Sequence, residues 1–143
     1  DNPDKRLHIK GKILNNNGKV NNVCIRIVHD DGVVDTVLVK KGKYNLHLEL
    51  NHKILLEFEC KDHYTKRIVF NTEVPSSKKH IPFFDLTMNL VESNFWHIKE
   101  EDEDLMDFPV AYIKYNNRKG IFYDHNSKYS RVINKKIKSY GIY

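Results

Sequence analysis

The chain is poor in the residues and patterns that mark several common protein classes. It carries two cysteines, Cys24 and Cys60, neither in a Cys-x-x-Cys spacing, so neither a disulfide-dense scaffold nor a thiolate zinc site is written into it. Its six glycines are scattered at turns, which excludes a glycine-rich phosphate cradle. Apolar runs are short: Ile54-Leu55-Leu56 and Ile81-Pro82-Phe83-Phe84 fall far below the ~20 residues of a membrane-spanning helix. No charged stretch followed by an apolar core and a small-residue cleavage site opens the chain. It begins Asp1-Asn2-Pro3-Asp4-Lys5, a polar start that reads like a mature end left after removal of a signal peptide.

Catalytic signatures are also missing. There is no Gly-x-Ser-x-Gly elbow and no local cysteine-protease pattern, so no nucleophile is legible and an enzyme is not expected. His8, His29, His47, His52, His63, His80, His97 and His125 stand singly, without a His-x-x-x-His or His-Glu-x-x-His arrangement. No metal and no other cofactor is expected.

What is present suits one globular domain of 143 residues, with 40% hydrophobic and 30% charged residues. Seven short strands are expected between residues 6 and 91, spaced as in a sandwich rather than in βαβ units. Leu7 to Ile13 is the first, with Leu7, Ile9 and Ile13 in step before the Asn15-Asn16-Asn17-Gly18 turn. Val23 to Ile27 is the second; it places Val23, Ile25 and Ile27 on one face and Cys24 with Arg26 on the other. Asp35 to Val39 follows the Asp30-Asp31-Gly32 turn. In the fourth, Tyr44, Leu46, Leu48 and Leu50 alternate with polar Asn45, His47 and Glu49, the cleanest half-buried strand in the chain. Ile54 to Cys60 is the fifth, with Cys60 in the inward register, so that two free thiols are expected rather than a bridge to Cys24. Lys66 to Phe70 and Phe83 to Leu90 complete the set.

Charge then changes along the chain. Glu100, Glu101, Asp102, Glu103, Asp104 and Asp107 form an acidic run without apolar period, and residues 93–107 read as a connector. Residues 108–143 read as a basic, aromatic extension: Lys114, Arg118, Lys119, Lys128, Arg131, Lys135, Lys136 and Lys138 stand against Asp124 alone up to Lys138. Val110 to Tyr115 and Ile121 to Tyr123 suggest a hairpin around Asn116-Asn117-Arg118-Lys119-Gly120. Tyr129, Ile133, Ile137 and Tyr140 recur at helical spacing, with Ser127 as the expected cap. The fold class expected is all-β, a seven-stranded sandwich over residues 1–92 with a small C-terminal hairpin and helix.

The order Ile9-x-Gly11-x-Ile13, Asn17-Gly18-Lys19-Val20-x-x-Val23-x-Ile25-x-Ile27, Gly42-Lys43-Tyr44-x-Leu46 and Phe58 to Tyr64 resembles the carboxypeptidase regulatory-like (CarboxypepD_reg-like) family over residues 6–91. The chain departs from the family pattern at Val20-Asn21, where Pro-Leu is usual, and at His63, where a glycine commonly precedes the tyrosine. The resemblance implies a seven-stranded transthyretin-like sandwich without an active site of its own, in an exported, periplasmic or outer-membrane-associated bacterial protein. The tail from Phe108 to Ile137 also looks like an extension found on stand-alone members in type IX-secreting bacteria.

The function expected from this resemblance is a non-catalytic protein-binding or scaffold module of the bacterial cell envelope, such as an accessory subunit of an outer-membrane transport or type IX secretion machine. Its partner would be another envelope protein, and peripheral membrane association is compatible with the basic tail. Trp96, Phe108, Tyr112, Tyr115, Phe122, Tyr123 and Arg131 are the candidate partner-contact residues. Two readings compete: an enzyme on a transthyretin-like scaffold, and basic-tail binding to anionic lipid or nucleic acid. The chain ends Ser139-Tyr140-Gly141-Ile142-Tyr143 and lacks the terminal Tyr-Arg-Gly-Ser of hydroxyisourate hydrolases. The Tyr-rich tail fits an alternating strand with one buried face better than a nucleic-acid platform, so nucleic acid is not the expected partner.

Overall fold

Strict alternation of apolar and polar residues builds most of this molecule, because successive side chains on a strand point to opposite faces and only one face needs to be dry. The computed structural model describes residues 5–93 and 109–139. It is an all-β sandwich of two sheets with a C-terminal hairpin and one helix.

The strands are β1 (Arg6–Asn15), β2 (Gly18–Lys19), β3 (Val23–His29), β4 (Val34–Val39), β5 (Lys43–Glu49), β6 (Lys53–Glu59), β7 (Lys66–Asn71), β8 (Phe84–Asp85), β9 (Met88–Asn89), β10 (Ala111–Asn116) and β11 (Ile121–Asp124), followed by α1 (Ser127–Lys138). One sheet is centred on β1, which pairs antiparallel with β5 and β2 along one side and parallel with β8 and β9 along the other. The second runs in the order β11-β10-β7-β6-β3-β4.

The core lies between the two inner faces. Leu7, Ile9 and Ile13 from β1 and Tyr44, Leu46 and Leu48 from β5 meet Val23, Ile25, Ile54, Leu56, Phe58, Ile68 and Phe70 from the second sheet. Each fully buried Leu, Ile or Phe contributes about 1.5–3 kcal/mol. Tyr44 meets Phe58 edge-on with ring centroids 5.5 Å apart, and Phe70 meets Phe84 likewise at 5.8 Å. Both pairs cross from one sheet to the other. At one end, buried Thr72 joins the β5–β6 turn to the end of β7: its hydroxyl lies 2.7 Å from Glu49 O, and the His52 N–H donates to Oγ1 at 3.1 Å.

Three features differ from the sequence expectation. The strand expected from Phe83 to Leu90 is two short pieces, β8 and β9. Both hold the same register against β1, with Ile9 opposite Phe84 and Ile13 opposite Met88, and Leu86 lies in the break between them. The hairpin β10–β11 does not stand apart: β10 runs parallel to β7, placing Ile113 beside Phe70, and so extends the second sheet. A parallel neighbour needs a long crossover, and here that connection passes through β8 and β9 in the opposite sheet. The helix N-cap is Asn126, without a side-chain capping bond, and Ser127 is the first helical residue rather than the cap.

Candidate functional site

The tail builds its surface in register with the sheet. Tyr112 is paired with Val69 and Ile113 with Phe70, so Ile113 and Tyr115 turn inward while Tyr112 and Lys114 turn outward. On β11, Phe122 pairs with Tyr115 and Tyr123 with Lys114. Helix α1 lays Ile133 and Ile137 into the interior, and Tyr129 packs edge-on against Tyr112 with centroids 5.4 Å apart. These contacts follow from the i, i+4, i+8 spacing of Tyr129, Ile133 and Ile137. The opposite face of α1 exposes Lys128, Arg131, Val132, Lys135 and Lys138, and Val132 is 62% exposed. No acidic residue occurs in the helix.

The candidate contact residues therefore separate. Tyr115 and Phe122 are buried and pack against each other at 5.3 Å, so they belong to the core and cannot meet a partner without unfolding the hairpin. Tyr123 and the rim of half-buried Tyr112 remain available on the outward face of β10 and β11, and Arg131 is exposed on α1. Trp96 and Phe108 lie outside the described residues.

Register also assembles groups that are distant in sequence. His8 and His47 are directly opposite on β1 and β5; their rings stack at 4.4 Å, and His8 Nε2 hydrogen-bonds Asn45 Oδ1. His52 Nδ1 meets Asp30 Oδ1 at 3.0 Å; this contact raises the imidazole pKa and lowers that of the carboxyl. His29 Nε2 lies 3.0 Å from Asp35 Oδ2. Among the described residues no group of three His, Cys, Asp or Glu side chains is placed to hold a metal ion.

On the outer face of the second sheet, Glu57 sits between two arginines, with Arg26 Nη1 at 2.8 Å from Oε1 and Arg67 Nε at 2.8 Å from Oε2. Within the sandwich, Lys66 is buried and donates from Nζ to Asn89 O at 2.5 Å. Its desolvation pushes the ammonium pKa down to about 7. Cys24 and Cys60 are free thiols. Burial raises the Cys60 pKa, which lowers its thiolate fraction and makes it a poor nucleophile at neutral pH. The His8–His47 pair, the Glu57 clamp and buried Lys66 are not legible in the sequence. Periodicity marks a face, whereas these groupings depend on which strands adjoin.

No family model and no curated protein matches the chain. Among solved structures it overlays on one titled "Crystal Structure of S.CueP", with 11% identity and a TM-score of 0.38. The overlay covers 59% of this chain, and the chain spans 60% of that structure. So loose an overlay carries no functional argument.

Proposed function

We propose that the protein is a non-catalytic binding module of the bacterial cell envelope, which docks through its C-terminal surface onto an acidic face of another envelope protein. The observation that carries this reading is the exposed face of α1, where Lys128, Arg131, Lys135 and Lys138 surround Val132 with no acidic residue, anchored to the sheet by the Tyr112–Tyr129 contact. Clustered Lys and Arg steer an acidic partner into place, and the exposed Val132 among them offers apolar area to the contact. The raised pKa of Cys60 fits a module without a cysteine nucleophile. Export, and a place in an outer-membrane transport or type IX secretion assembly, rest on the resemblance of residues 6–91 and the tail to that family.

The test is affinity capture of the tagged full chain from a bacterial envelope, beside a variant carrying Lys128→Glu, Arg131→Glu and Lys135→Glu. These side chains are exposed, so the variant should fold as the parent does. Deletion of residues 108–143 would be a poor control, because it strips β10 from β7. Loss of a specific co-purifying protein on charge reversal supports the reading; equal capture by both chains sinks it. The same basic face also favours a second reading, anionic lipid. Sedimentation with phosphatidylglycerol vesicles that falls steeply with salt, without a protein partner, would replace the first.

A further inference from the structure

The second sheet ends on β4, a strand of six residues that among the described residues pairs only with β3. Sheet edges are usually blunted by Pro, Lys, a bulge or extreme shortness. The strand Val34-Asp35-Thr36-Val37-Leu38-Val39 has no Pro and no Lys, its one charged side chain, Asp35, is held by His29 Nε2 at 3.0 Å, and its register with β3 is unbroken from Val28↔Val34 to Val23↔Val39. The exposed edge of the first sheet differs, since β5 places Lys43, His47 and Glu49 on its solvent face. Val34 is 42% exposed and Leu38 60% exposed, both on the outer side of β4.

The backbone groups on this edge can be assigned. The His29 N–H donates to Val33 O at 2.9 Å, so Val33 turns its carbonyl towards β3. By the two-residue period Asp35, Val37 and Val39 do the same, while Val34, Thr36 and Leu38 direct N–H and C=O away from the sheet. Those three residues are also the ones whose side chains lie on the outer face, beside Val28, Arg26 and Cys24.

We infer that β4 is a homodimer seam, pairing antiparallel with β4 of a second copy about a two-fold axis at Thr36. In this register Thr36 faces Thr36 and Val34 faces Leu38 of the other copy, twice over. Every outward N–H and C=O of Val34, Thr36 and Leu38 then has a partner, and the two exposed apolar side chains cover each other. Beyond the strand the chain turns at both ends, and antiparallel pairing brings the turn that carries Asp31 in each copy to the end of the seam where the other copy carries Lys40 and Lys41. The Asp30 carboxylate is committed to His52 and to the Lys53 N–H, so Asp31 is the acid that serves this contact. This charge complementarity at both ends, around a self-complementary apolar centre, selects a second copy over an arbitrary extended peptide. The arrangement is isologous and closed, so it stops at two copies. It leaves β11, at the opposite edge, and α1 on β10 far from the seam, with one such surface on each side of the pair.

Sedimentation equilibrium of the full chain across micromolar concentrations tests the seam. The expected result is a dimer whose dissociation constant rises about tenfold or more in Thr36→Pro, which removes a seam N–H that does not serve β3, and in Leu38→Lys. Lys41→Glu should weaken the dimer, and Lys41→Glu with Asp31→Lys should restore it; a merely local effect on the turn would not be rescued. Circular dichroism unchanged from the parent would show that each variant is folded. A chain that stays monomeric at every concentration overturns the inference, as does a dimer indifferent to Thr36→Pro and Leu38→Lys.

Discussion

A β-carbon on Gly11 would stand 1.8 Å from the carbonyl oxygen of Leu86. The absence of a side chain at Gly11 is thus what lets the break between β8 and β9 close onto β1, where the Leu86 N–H donates to Lys10 O at 2.9 Å. The obstacle is backbone and cannot swing aside. Gly11→Ala is therefore expected to lower stability by about 3 kcal/mol or more. Urea denaturation would measure it, and a loss below about 1 kcal/mol would mean that the β8–β9 segment is free to shift.

The same carbonyl accepts the Tyr44 hydroxyl at 2.6 Å. Burial raises the phenol pKa, so it stays protonated and able to donate across the ordinary pH range. Tyr44→Phe keeps the ring against Phe58 and removes only this bond, for an expected loss of about 1 kcal/mol. An unchanged melting temperature would contradict it.

Glu57 provides a sharper electrostatic test. Its side chain is 9% exposed, between Arg26 at 38% and Arg67 at 24%. Glu57→Gln leaves two guanidinium groups around a neutral amide and is expected to cost about 2–3 kcal/mol, whereas Arg26→Ala, at the wetter end, should cost under about 1 kcal/mol. Equal losses in chemical denaturation would refute this ordering.

Lys66 predicts a pH dependence of definite sign. In the unfolded chain its pKa is the ordinary 10.5, and in the fold it is about 7. Between these values the unfolded chain holds a proton that the fold has released, so this group makes stability rise with pH; below about 7 both states are charged and its contribution is flat. Relative to Lys66→Met, the parent should gain on the order of 3 kcal/mol from pH 7 to 9.5. A flat difference across that range would show that the lysine stays charged in the fold.

On the buried side of α1, the Ser130 hydroxyl has no hydrogen-bond partner among the described residues. Ser130→Ala removes an unsatisfied polar group and replaces it with a better helix former, so a gain of about 1 kcal/mol is expected in thermal or urea unfolding. A net loss would indicate that the hydroxyl has found a partner in solution.

Much of the sandwich was legible in order because Leu7, Ile9 and Ile13, or Tyr44, Leu46 and Leu48, state their facing by period alone. Cys24 and Cys60 likewise fall on opposite faces, as their strand positions require. The candidate surface was less legible. Tyr112, Tyr115, Phe122 and Tyr123 are all aromatics in a basic tail, yet two are core and two reach the surface. That division follows from β10 lying beside β7, a pairing between residues more than forty positions apart that no local pattern announces.

The sequence by itself determined the strands from β1 to β7 apart from short β2, the hairpin, the amphipathic helix and the basic character of its outer face, since each depends on neighbours within a few residues. Only the tertiary structure decided that β8 and β9 run parallel to β1, that Gly11 must be bare, that Glu57 and Lys66 are buried, and that β4 is an edge strand among the described residues. Those outcomes are set by which strands adjoin and in what register, and the energy that selects a register comes from long-range packing of whole faces rather than from local preference.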